Sequence, residues 1–514
     1  MDNDAVVRIW IEKPHDSDAL VVGGGPAGAA AAARLAAQGF KTILVDRATF
    51  PRDKVCGDFV GPAALVELAD LGVVEMPGFR ATNKIRDAAL HLDGKKLIVR
   101  PLPDVKGLPS YGRVIPRLEL DAWIVEAARQ AGATVYGDRK ATEVERTRDA
   151  VTVRGESASG PWELRTRLLL GADGSNSTIA RAIRGGLPPR EDRILAVRAY
   201  FSDVDGPGDQ ADLYFSSESF PGYYWLFPAR GAQANVGVGM VLSTYPHTNH
   251  NLRELLLRLM ANDKAMQRRL GGAEMHGKVV GWPLTTYNPR LPLTGDRVML
   301  LGDAAGLINP LNGEGIQYAL LSARWAADIA SDCLSSDLLD ALSLARYEQR
   351  VQQELRYDMA LAVLIVQLIR NRNLNPVWLR ALRLIVSRAK LDPDYGYRVG
   401  CVLAGLTPAT DALALSVVTG TIEQAIVSAG FSALLNGLGG PKKMGRFAYG
   451  VARGGVGTAV AGVSNPLDLV DWAVEVAGRA VELGTQLALT KIDPGRTPPA
   501  GRPSATAHRS RSIM

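Results

Sequence analysis

The sequence is poor in cysteine and contains no long apolar segment. Its three cysteines, Cys56, Cys333 and Cys401, lie far apart and form no CxxC or His-spaced pattern. This spacing favours neither a disulfide framework nor a metal site, and it fits a reducing cytoplasm. The segment MDNDAVVRIW lacks a basic stretch followed by an apolar run, and the longest strongly apolar stretch, residues 359–369, is too short to cross a bilayer. We therefore expect neither a signal peptide nor a transmembrane helix.

The charge balance is equally unspecific. Lys and Arg total 59 and Asp and Glu total 53, so the net charge is +6 with histidine neutral. An excess of this size on 514 residues is typical of an ordinary solvated surface, and no nucleic-acid binding is predicted from it. Because 47% of the residues are hydrophobic and 22% are charged, the chain can bury a large globular core.

A strand, a glycine turn, a helix and a second strand follow one another between residues 19 and 45. In the turn, Gly23, Gly25 and Gly28 satisfy the pattern GxGxxG. The three glycines allow a tight turn, a close approach of backbone to a pyrophosphate, and close packing of helix on strand. Asp46 ends the second strand, near the offset at which a carboxylate binds an adenosine ribose. These features predict a dinucleotide site on a Rossmann-type unit.

Two distant segments resemble further cofactor loops. LLLGADGSNSTIAR is an apolar strand that ends in a loop containing Asp173. RVMLLGDAAGL is another, with Gly302 and Asp303 at its end, and Gly313 and Gly315 then precede a long helix. A glycine at such a point lets the backbone approach a ligand, and a helix N-terminus directs partial positive charge towards it.

The order and spacing of these three segments resemble the p-hydroxybenzoate hydroxylase-like superfamily of flavoproteins. The resemblance implies that FAD is bound non-covalently and that Asp303 binds its ribityl chain. It also implies that the helix beginning near Gly315 faces the pyrimidine edge of the flavin, and that Arg117 reaches the cofactor. We assign Arg47 and Lys54 to cofactor binding as well, with pairing to an anionic headgroup as the alternative for Lys54.

Two shorter motifs resemble the geranylgeranyl reductase family. They are PRDKVCGD, residues 51–58, and GYYWLFP, residues 222–228. The resemblance implies reduction of C=C bonds in a polyprenyl chain, carried by a diphosphate, a lipid or menaquinone (EC 1.3 class, acting on CH–CH donors). Cys56, Asp58 and Trp225 are the catalytic candidates. Cys56 could gate the site, donate a proton or simply pack, and Trp225 could also be an ordinary core residue.

The organisation expected is an α/β fold with a Rossmann-type FAD-binding domain, an inserted antiparallel-sheet substrate domain and a helical C-terminal extension. The FAD-binding domain is assigned to residues 15–190 and 280–345. Alternating apolar and polar residues place the antiparallel sheet within 191–279. The helical region is assigned to 346–490 and a disordered tail to 491–514.

The partners expected are small or lipidic. No second GxGxxG follows a strand, so the electron donor is expected to be a transient NAD(P)H or a ferredoxin-type protein. The substrate is expected to be a hydrophobic small molecule or lipid. A helix predicted from Asn465, and the basic residues Lys442, Lys443 and Arg446, suggest peripheral membrane contact at the inner face of a cytoplasmic location. The oligomeric state is left open.

Two other functions are compatible with the same cofactor loops. The first is an FAD-dependent monooxygenase or halogenase acting on an aromatic or polyketide substrate, although the sequence has no W-x-W-x-I-P element typical of halogenases. The second is a flavin-binding protein without catalytic activity.

Overall fold

The computed structural model describes residues 15–244, 251–372, 375–406 and 478. Apart from residue 478, which is helical, the helix predicted from Asn465 lies outside these ranges. So do the basic residues Lys442, Lys443 and Arg446 and the tail predicted from residue 491. Among the described residues, no helix combines the length and the apolar character that crossing a bilayer requires.

A mostly parallel sheet contains the predicted Rossmann-type unit. Its strands are β1 (Ser17–Val22), β2 (Thr42–Val45), β8 (Thr134–Tyr136), β9 (Lys140–Arg146), β10 (Val151–Ser157), β11 (Gly160–Gly171), β17 (Thr294–Gly295) and β18 (Val298–Leu300). The order is β17-β18-β11-β1-β2-β8; β10 pairs antiparallel with β11, and β9 pairs antiparallel with β10. The apolar residues of β1 are buried because β1 lies inside the sheet, parallel to both β2 and β11.

Helices cover this sheet. They are α1 (Pro26–Ala37), α3 (Arg117–Gln130), α4 (Thr178–Arg184), α7 (Gly302–Ala305) and α8 (Ile316–Ser336). Helix α1 contacts both α3 and α8. Its run of alanines, residues 29–32, is completely buried, because small side chains allow three helices to approach closely. These elements agree with the strand and helix positions predicted around the glycine turn.

A second sheet has seven strands and is mainly antiparallel. They are β5 (Asp87–Leu92), β6 (Lys95–Pro101), β12 (Arg193–Ser202), β13 (Gln210–Phe215), β14 (Tyr223–Pro228), β15 (Ala234–Val241) and β16 (Glu274–Thr285). Their order is β16-β12-β15-β14-β13-β5-β6. Helix α5 (Leu252–Asn262) packs its leucines against one face, and α6 (Lys264–Leu270) follows it.

The second sheet differs from the predicted division of the chain in one respect. Strands β5 and β6 come from the segment assigned to the FAD-binding domain, yet β5 pairs in parallel with β13. A strand can join any sheet whose edge strand offers unpaired backbone N–H and C=O groups. Which sheet edge lies within reach of β5 is decided by the tertiary fold. A small third sheet of β3 (Phe59–Val60), β4 (Asn83–Ile85) and β7 (Gly112–Val114) lies beside helix α2 (Pro62–Asp70).

Three helices form the C-terminal part of the described chain. They are α9 (Ala341–Ile369), α10 (Asn375–Leu391) and α11 (Pro393–Ala404). The Asp340 carboxylate caps α9, the Asp392 carboxylate caps α11, and Gly405 ends α11 in the left-handed conformation with φ +61°. Helix α10 lies against β6, where Arg100 donates a hydrogen bond to a carbonyl of α10. Together the two sheets and these helices confirm the predicted fold class.

Candidate active site

One cavity of about 1910 Å³ lies where the two sheets and the C-terminal helices meet. It is bordered by most of the predicted site residues: Gly23, Gly25, Asp46, Arg47, Lys54, Cys56, Asp58, Arg117, Asp173, Trp225, Asp303, Gly313 and Gly315. The other two predicted site residues, Gly28 and Gly302, do not border the cavity. A Cβ atom on Gly302 would come within 2.8 Å of Ala27 Cβ, so Gly302 serves helix packing.

The glycines of the turn serve different purposes. A Cβ atom on Gly28 would lie 1.8 Å from the carbonyl oxygen of Gly23, so only glycine permits this approach of helix to turn. Around Gly25, by contrast, the nearest atoms to an added Cβ are 3.8 Å away, on Arg52 and Arg117. Gly25 is the N-cap of α1, so open space lies where amide groups at the helix start can receive a phosphate.

Charged residues surround this open space. The Asp46 carboxylate accepts hydrogen bonds from the amides of Gly24, at 2.7 Å, and Ala48, at 2.8 Å. Arg117 forms two hydrogen bonds of 2.6 and 2.7 Å to the buried Asp121 carboxylate, and Arg52 adds one of 2.8 Å to the same group. The Asp121 carboxylate therefore orients two guanidinium groups beside the glycine turn.

Lys54 and Asp303 meet although they are distant in the sequence. Lys54 Nζ lies 3.1 Å from Asp303 Oδ2, and Ser175 Oγ donates to the same oxygen at 3.4 Å. Gly315 is close to the other carboxylate oxygen, since a Cβ there would lie 3.4 Å from Asp303 Oδ1. The loop after β11, the loop after β18 and the segment after β2 are thus brought together.

Asp173 and Arg47 border the cavity with their polar groups already engaged. The Asp173 carboxylate accepts hydrogen bonds from Ser177 Oγ and from the amide of Thr178, so it supports the first turn of α4. Burial raises the pKa of Asp173. The Arg47 guanidinium lies over the ring of Trp282, 5.3 Å from its centroid.

The three catalytic candidates belong to one hydrogen-bond network. Asp58 Oδ2 accepts hydrogen bonds from Tyr200 Oη, at 2.6 Å, and Asn235 Nδ2, at 2.9 Å. Asn235 also donates to the carbonyl of Cys56, at 2.7 Å, and its own oxygen accepts from Trp225 Nε1, at 2.9 Å. Asp58 Oδ1 is buried without a hydrogen-bond partner among the described residues. The network joins the 51–58 segment to the second sheet.

Burial dominates the electrostatics of this network. It raises the pKa of Asp58 to about 6, against the opposing effect of the hydrogen bonds from Tyr200 and Asn235. Burial likewise raises the pKa of the Cys56 thiol. Cys56 is therefore a thiol at neutral pH, while Asp58 titrates just below neutrality.

Aromatic residues that alternate along β14 line the cavity. Tyr223, Trp225 and Phe227 border it, while Tyr224 and Leu226 point to the opposite face and are completely buried. Trp225 and Phe227 are stacked with ring centroids 6.1 Å apart.

Several residues of the site were missed by the sequence analysis. They are Arg52, Asp121, Tyr200, Tyr223, Asn235 and Glu314. Asn235 could have been recognised from the sequence, because it is a polar residue near the start of the otherwise apolar strand β15. In the structure its side chain is completely buried. Arg52 lies within the motif PRDKVCGD, whereas Asp121 and Tyr200 are recognisable only through their three-dimensional contacts.

These residues fit FAD. The open space beside Gly25 suits a pyrophosphate, Asp46 lies at the end of β2 where an adenosine ribose is expected, and Asp303 faces Gly315 further along the cavity. Ligand pockets typically measure about 300–1000 Å³, so the cavity has room for the dinucleotide and for a second molecule.

A matched pair of variants separates the two roles of the glycines. We expect Gly25→Val to fold with an unchanged melting temperature but to be purified without flavin, because its side chain fills the phosphate space. Gly28→Val should lose about 3 kcal/mol or more of unfolding free energy, because its side chain overlaps Gly23. Thermal unfolding and the flavin absorbance of the purified proteins test both. A yellow Gly25→Val protein would contradict the assignment.

The pKa of Asp58 predicts a pH dependence of stability. Because the pKa is raised on folding, the stabilising effect is complete below the unfolded pKa of about 4 and is lost as the pH rises through about 6. We expect the unfolding free energy of wild type minus that of Asp58→Asn to fall by roughly 2–3 kcal/mol over this window. Urea unfolding of the flavin-free proteins measures it, with the exposed Asp205→Asn as control. A difference that does not change with pH would refute the prediction.

Comparison with known proteins supports FAD as the cofactor. Residues 16–327 match the family model described as "FAD binding domain". Menaquinone reductase of Mycobacterium tuberculosis is 35% identical over 342 residues, which cover 64% of this chain and 78% of the relative. Digeranylgeranylglycerophospholipid reductase of Thermoplasma acidophilum is 28% identical, over 65% of this chain and 83% of the relative.

A solved structure shares the fold. The crystal structure of a geranylgeranyl bacteriochlorophyll reductase-like protein from Thermoplasma acidophilum superposes with a TM-score of 0.61 at 24% identity, covering 79% of this chain and 97% of that one. The cofactor loops, the family match and the reductase relatives agree. The chain belongs to the FAD binding domain family and, within it, to the geranylgeranyl reductase family of FAD-dependent oxidoreductases.

Proposed function

We propose that this protein is an FAD-dependent reductase that saturates C=C bonds in the prenyl chain of a lipid or quinone. The observation that carries the proposal is that the cavity continues from the cofactor loops into an apolar chamber. Helices α9, α10 and α11 line one side of this chamber, and the second sheet lines the other. The names of the relatives, which include menaquinone and prenyl-lipid reductases, support the same chemistry.

The chamber suits a long hydrocarbon chain. Its lining on the helices includes Ile365, Leu368, Trp378, Leu382, Ile385 and Val399. Burying each CH₂ group of a substrate in such surroundings contributes about 0.8 kcal/mol, so a prenyl chain gains affinity along its whole length. The same lining excludes water, which protects a developing cation on the alkene.

The cofactor-binding residues and the catalytic candidates take separate roles in this proposal. Gly23 and Gly25 would hold the pyrophosphate of FAD, Asp46 the adenosine ribose, and Asp303 the ribityl chain. When bound and reduced, FAD supplies a hydride. Cys56, Asp58 and Trp225 would form the face against which the alkene lies, with Asp58 positioning the others through Asn235. The electrons would come from NAD(P)H or a ferredoxin-type donor.

The chamber would be loaded from a membrane surface. Tyr397 and Leu403 both border the cavity and are exposed by 44% and 41%, so the chamber opens to the outside beside α11. Leu391, at the end of α10, is 75% exposed, and Lys390 is exposed next to it. Exposed apolar side chains next to a basic one suit the interface of an anionic membrane. We therefore propose peripheral contact at the cytoplasmic face.

The direct test is anaerobic. The purified yellow protein is reduced with dithionite and mixed with a menaquinone, a geranylgeranylated lipid or geranylgeranyl diphosphate, and flavin reoxidation is followed together with the product mass. Reoxidation with a gain of two hydrogen atoms per bond is the expected result. No anaerobic reoxidation, followed by substrate-stimulated reoxidation on admitting oxygen and a gain of one oxygen atom, would replace the proposal with a monooxygenase.

Filling the chamber should block the substrate and spare the cofactor. Ala381 borders the chamber on α10, whereas Ser387 on the same helix is exposed and does not. We expect Ala381→Trp to keep its flavin and lose at least about tenfold in kcat/KM for a long prenyl substrate, which corresponds to about 1.4 kcal/mol. Ser387→Trp, the control, should retain wild-type turnover. Equal turnover of both variants would place the prenyl chain elsewhere.

A further inference from the structure

A carboxyl group outside the predicted site faces the cavity. Glu314 lies in the loop before α8 and borders the cavity. A Cβ atom on Gly61 would lie 2.8 Å from Glu314 Oε1, and one on Gly405 would lie 3.5 Å from Glu314 Oε2. Gly61 precedes α2 and Gly405 ends α11. Three separate segments thus meet at this carboxyl, and two of them approach it with residues that have no side chain.

The loop holds Glu314 in place. The amide of Glu314 donates to Asn312 Oδ1 at 2.9 Å, and its carbonyl accepts from the amide of Asn309 at 2.9 Å. Tyr223 Oη donates to the carbonyl of Asn312, which ties the loop to β14. The carboxyl is therefore carried by an ordered segment beside the aromatic wall of the cavity.

The surroundings of Glu314 favour its neutral form. Burial alone raises the pKa of Glu314 to about 8, with no opposing effect of a cation or of a hydrogen bond. Tyr223 on β14 is electrostatically coupled to Glu314, and burial raises the pKa of its hydroxyl, so Tyr223 brings no charge at neutral pH. The hydroxyl of Tyr318 on α8 lies beside Gly405, as Glu314 Oε2 does. The charges of Lys54 and Asp303, which lie beside Gly315, are paired with each other at 3.1 Å. Glu314 is thus a carboxylic acid, carrying its proton, at neutral pH.

Three other acids that border the cavity are less suited to give up a proton. Burial raises the pKa of the Cys56 thiol and of the Tyr223 hydroxyl, which makes both weaker acids. Asp58 has a pKa of about 6, and its Oδ2 accepts hydrogen bonds from Tyr200 and Asn235, so it is mostly ionised at neutral pH. A general acid must be protonated before the reaction and acidic enough to react.

We propose that Glu314 is the general acid that protonates one carbon of the substrate's double bond. The inference rests on the proposed function. The O–H bond of Glu314 and the π bond of the alkene break, and the proton forms a C–H bond at one carbon. The neighbouring carbon receives the hydride, with its electron pair, from the reduced FAD, which is oxidised. Glu314 remains as a carboxylate and regains its proton from solvent once the product leaves.

The decisive variant is Glu314→Gln, which keeps the shape of the side chain and cannot donate a proton from a carboxyl group. Single-turnover reoxidation of the reduced enzyme by the prenyl substrate should slow by at least about a hundredfold, while FAD retention and substrate affinity stay within about twofold of wild type. Glu119→Gln, a half-buried substitution of the same kind on α3 away from the cavity, is the matched control and should react at the wild-type rate.

Two further readouts are specific to a proton donor. The wild-type single-turnover rate should be constant below about pH 8 and fall about tenfold per pH unit above it, because only protonated Glu314 reacts. The residual rate of Glu314→Gln should not fall in this way above about pH 8. Infrared difference spectra, wild type minus Glu314→Gln, should show the C=O stretch of a protonated carboxylic acid at neutral pH, independent of turnover.

The outcomes separate the two proposals. Wild-type enzyme that fails to react with any prenyl substrate would overturn the proposed function, and the role of Glu314 with it. A reactive wild type accompanied by an equally fast Glu314→Gln, a pH step that persists in the variant, or spectra without a protonated carboxyl band would overturn the role of Glu314 alone.

Discussion

The close packing of the glycine turn against its neighbours is the constraint on which the cofactor site depends. Gly23 has φ +108°, and a Cβ there would lie 2.2 Å from the carbonyl oxygen of Ala172, while Gly28 approaches Gly23 just as closely. The amide of Leu301 bonds to the carbonyl of Gly171 at 2.9 Å, which places the third loop beside the second. Because parallel strands end at the same edge of the sheet, three loops separated in the chain surround one space.

The segment 51–58 connects this edge to the second sheet. Lys54 pairs with Asp303 on one side, and Asp58 accepts hydrogen bonds from Tyr200 and Asn235 on the other. Asp58 itself adopts φ +62°, in the left-handed region that aspartate tolerates better than most residues with a side chain. The buried carboxylate is tolerated because both donors point at it. The same hydrogen bonds orient the backbone of Cys56 and the indole of Trp225 at the cavity wall.

Apolar surroundings have two consequences in this cavity. They stabilise a bound hydrocarbon chain, and they penalise any ionised group beside it. Asp58 and Glu314 respond differently to the same penalty. Hydrogen bonds hold the pKa of Asp58 near 6, whereas Glu314, for which burial is the sole cause of the shift, has a pKa of about 8. Two carboxyl groups in one cavity therefore carry different protonation states at neutral pH, and the packing around each decides which.

The sequence by itself determined the cofactor loops, the strands and helices that carry them, and the aromatic face of β14, because each follows from local spacing, glycine content or alternation. It also indicated the C-terminal helices through their apolar stretches. The tertiary structure decided the rest. The pairing of β5 with β13, the hydrogen bonds from Asn235 and Tyr200 to Asp58, and the position of Glu314 between Gly61 and Gly405 all join distant segments. Burial and long-range contacts, which set both pairing and pKa, exist only once the chain has folded.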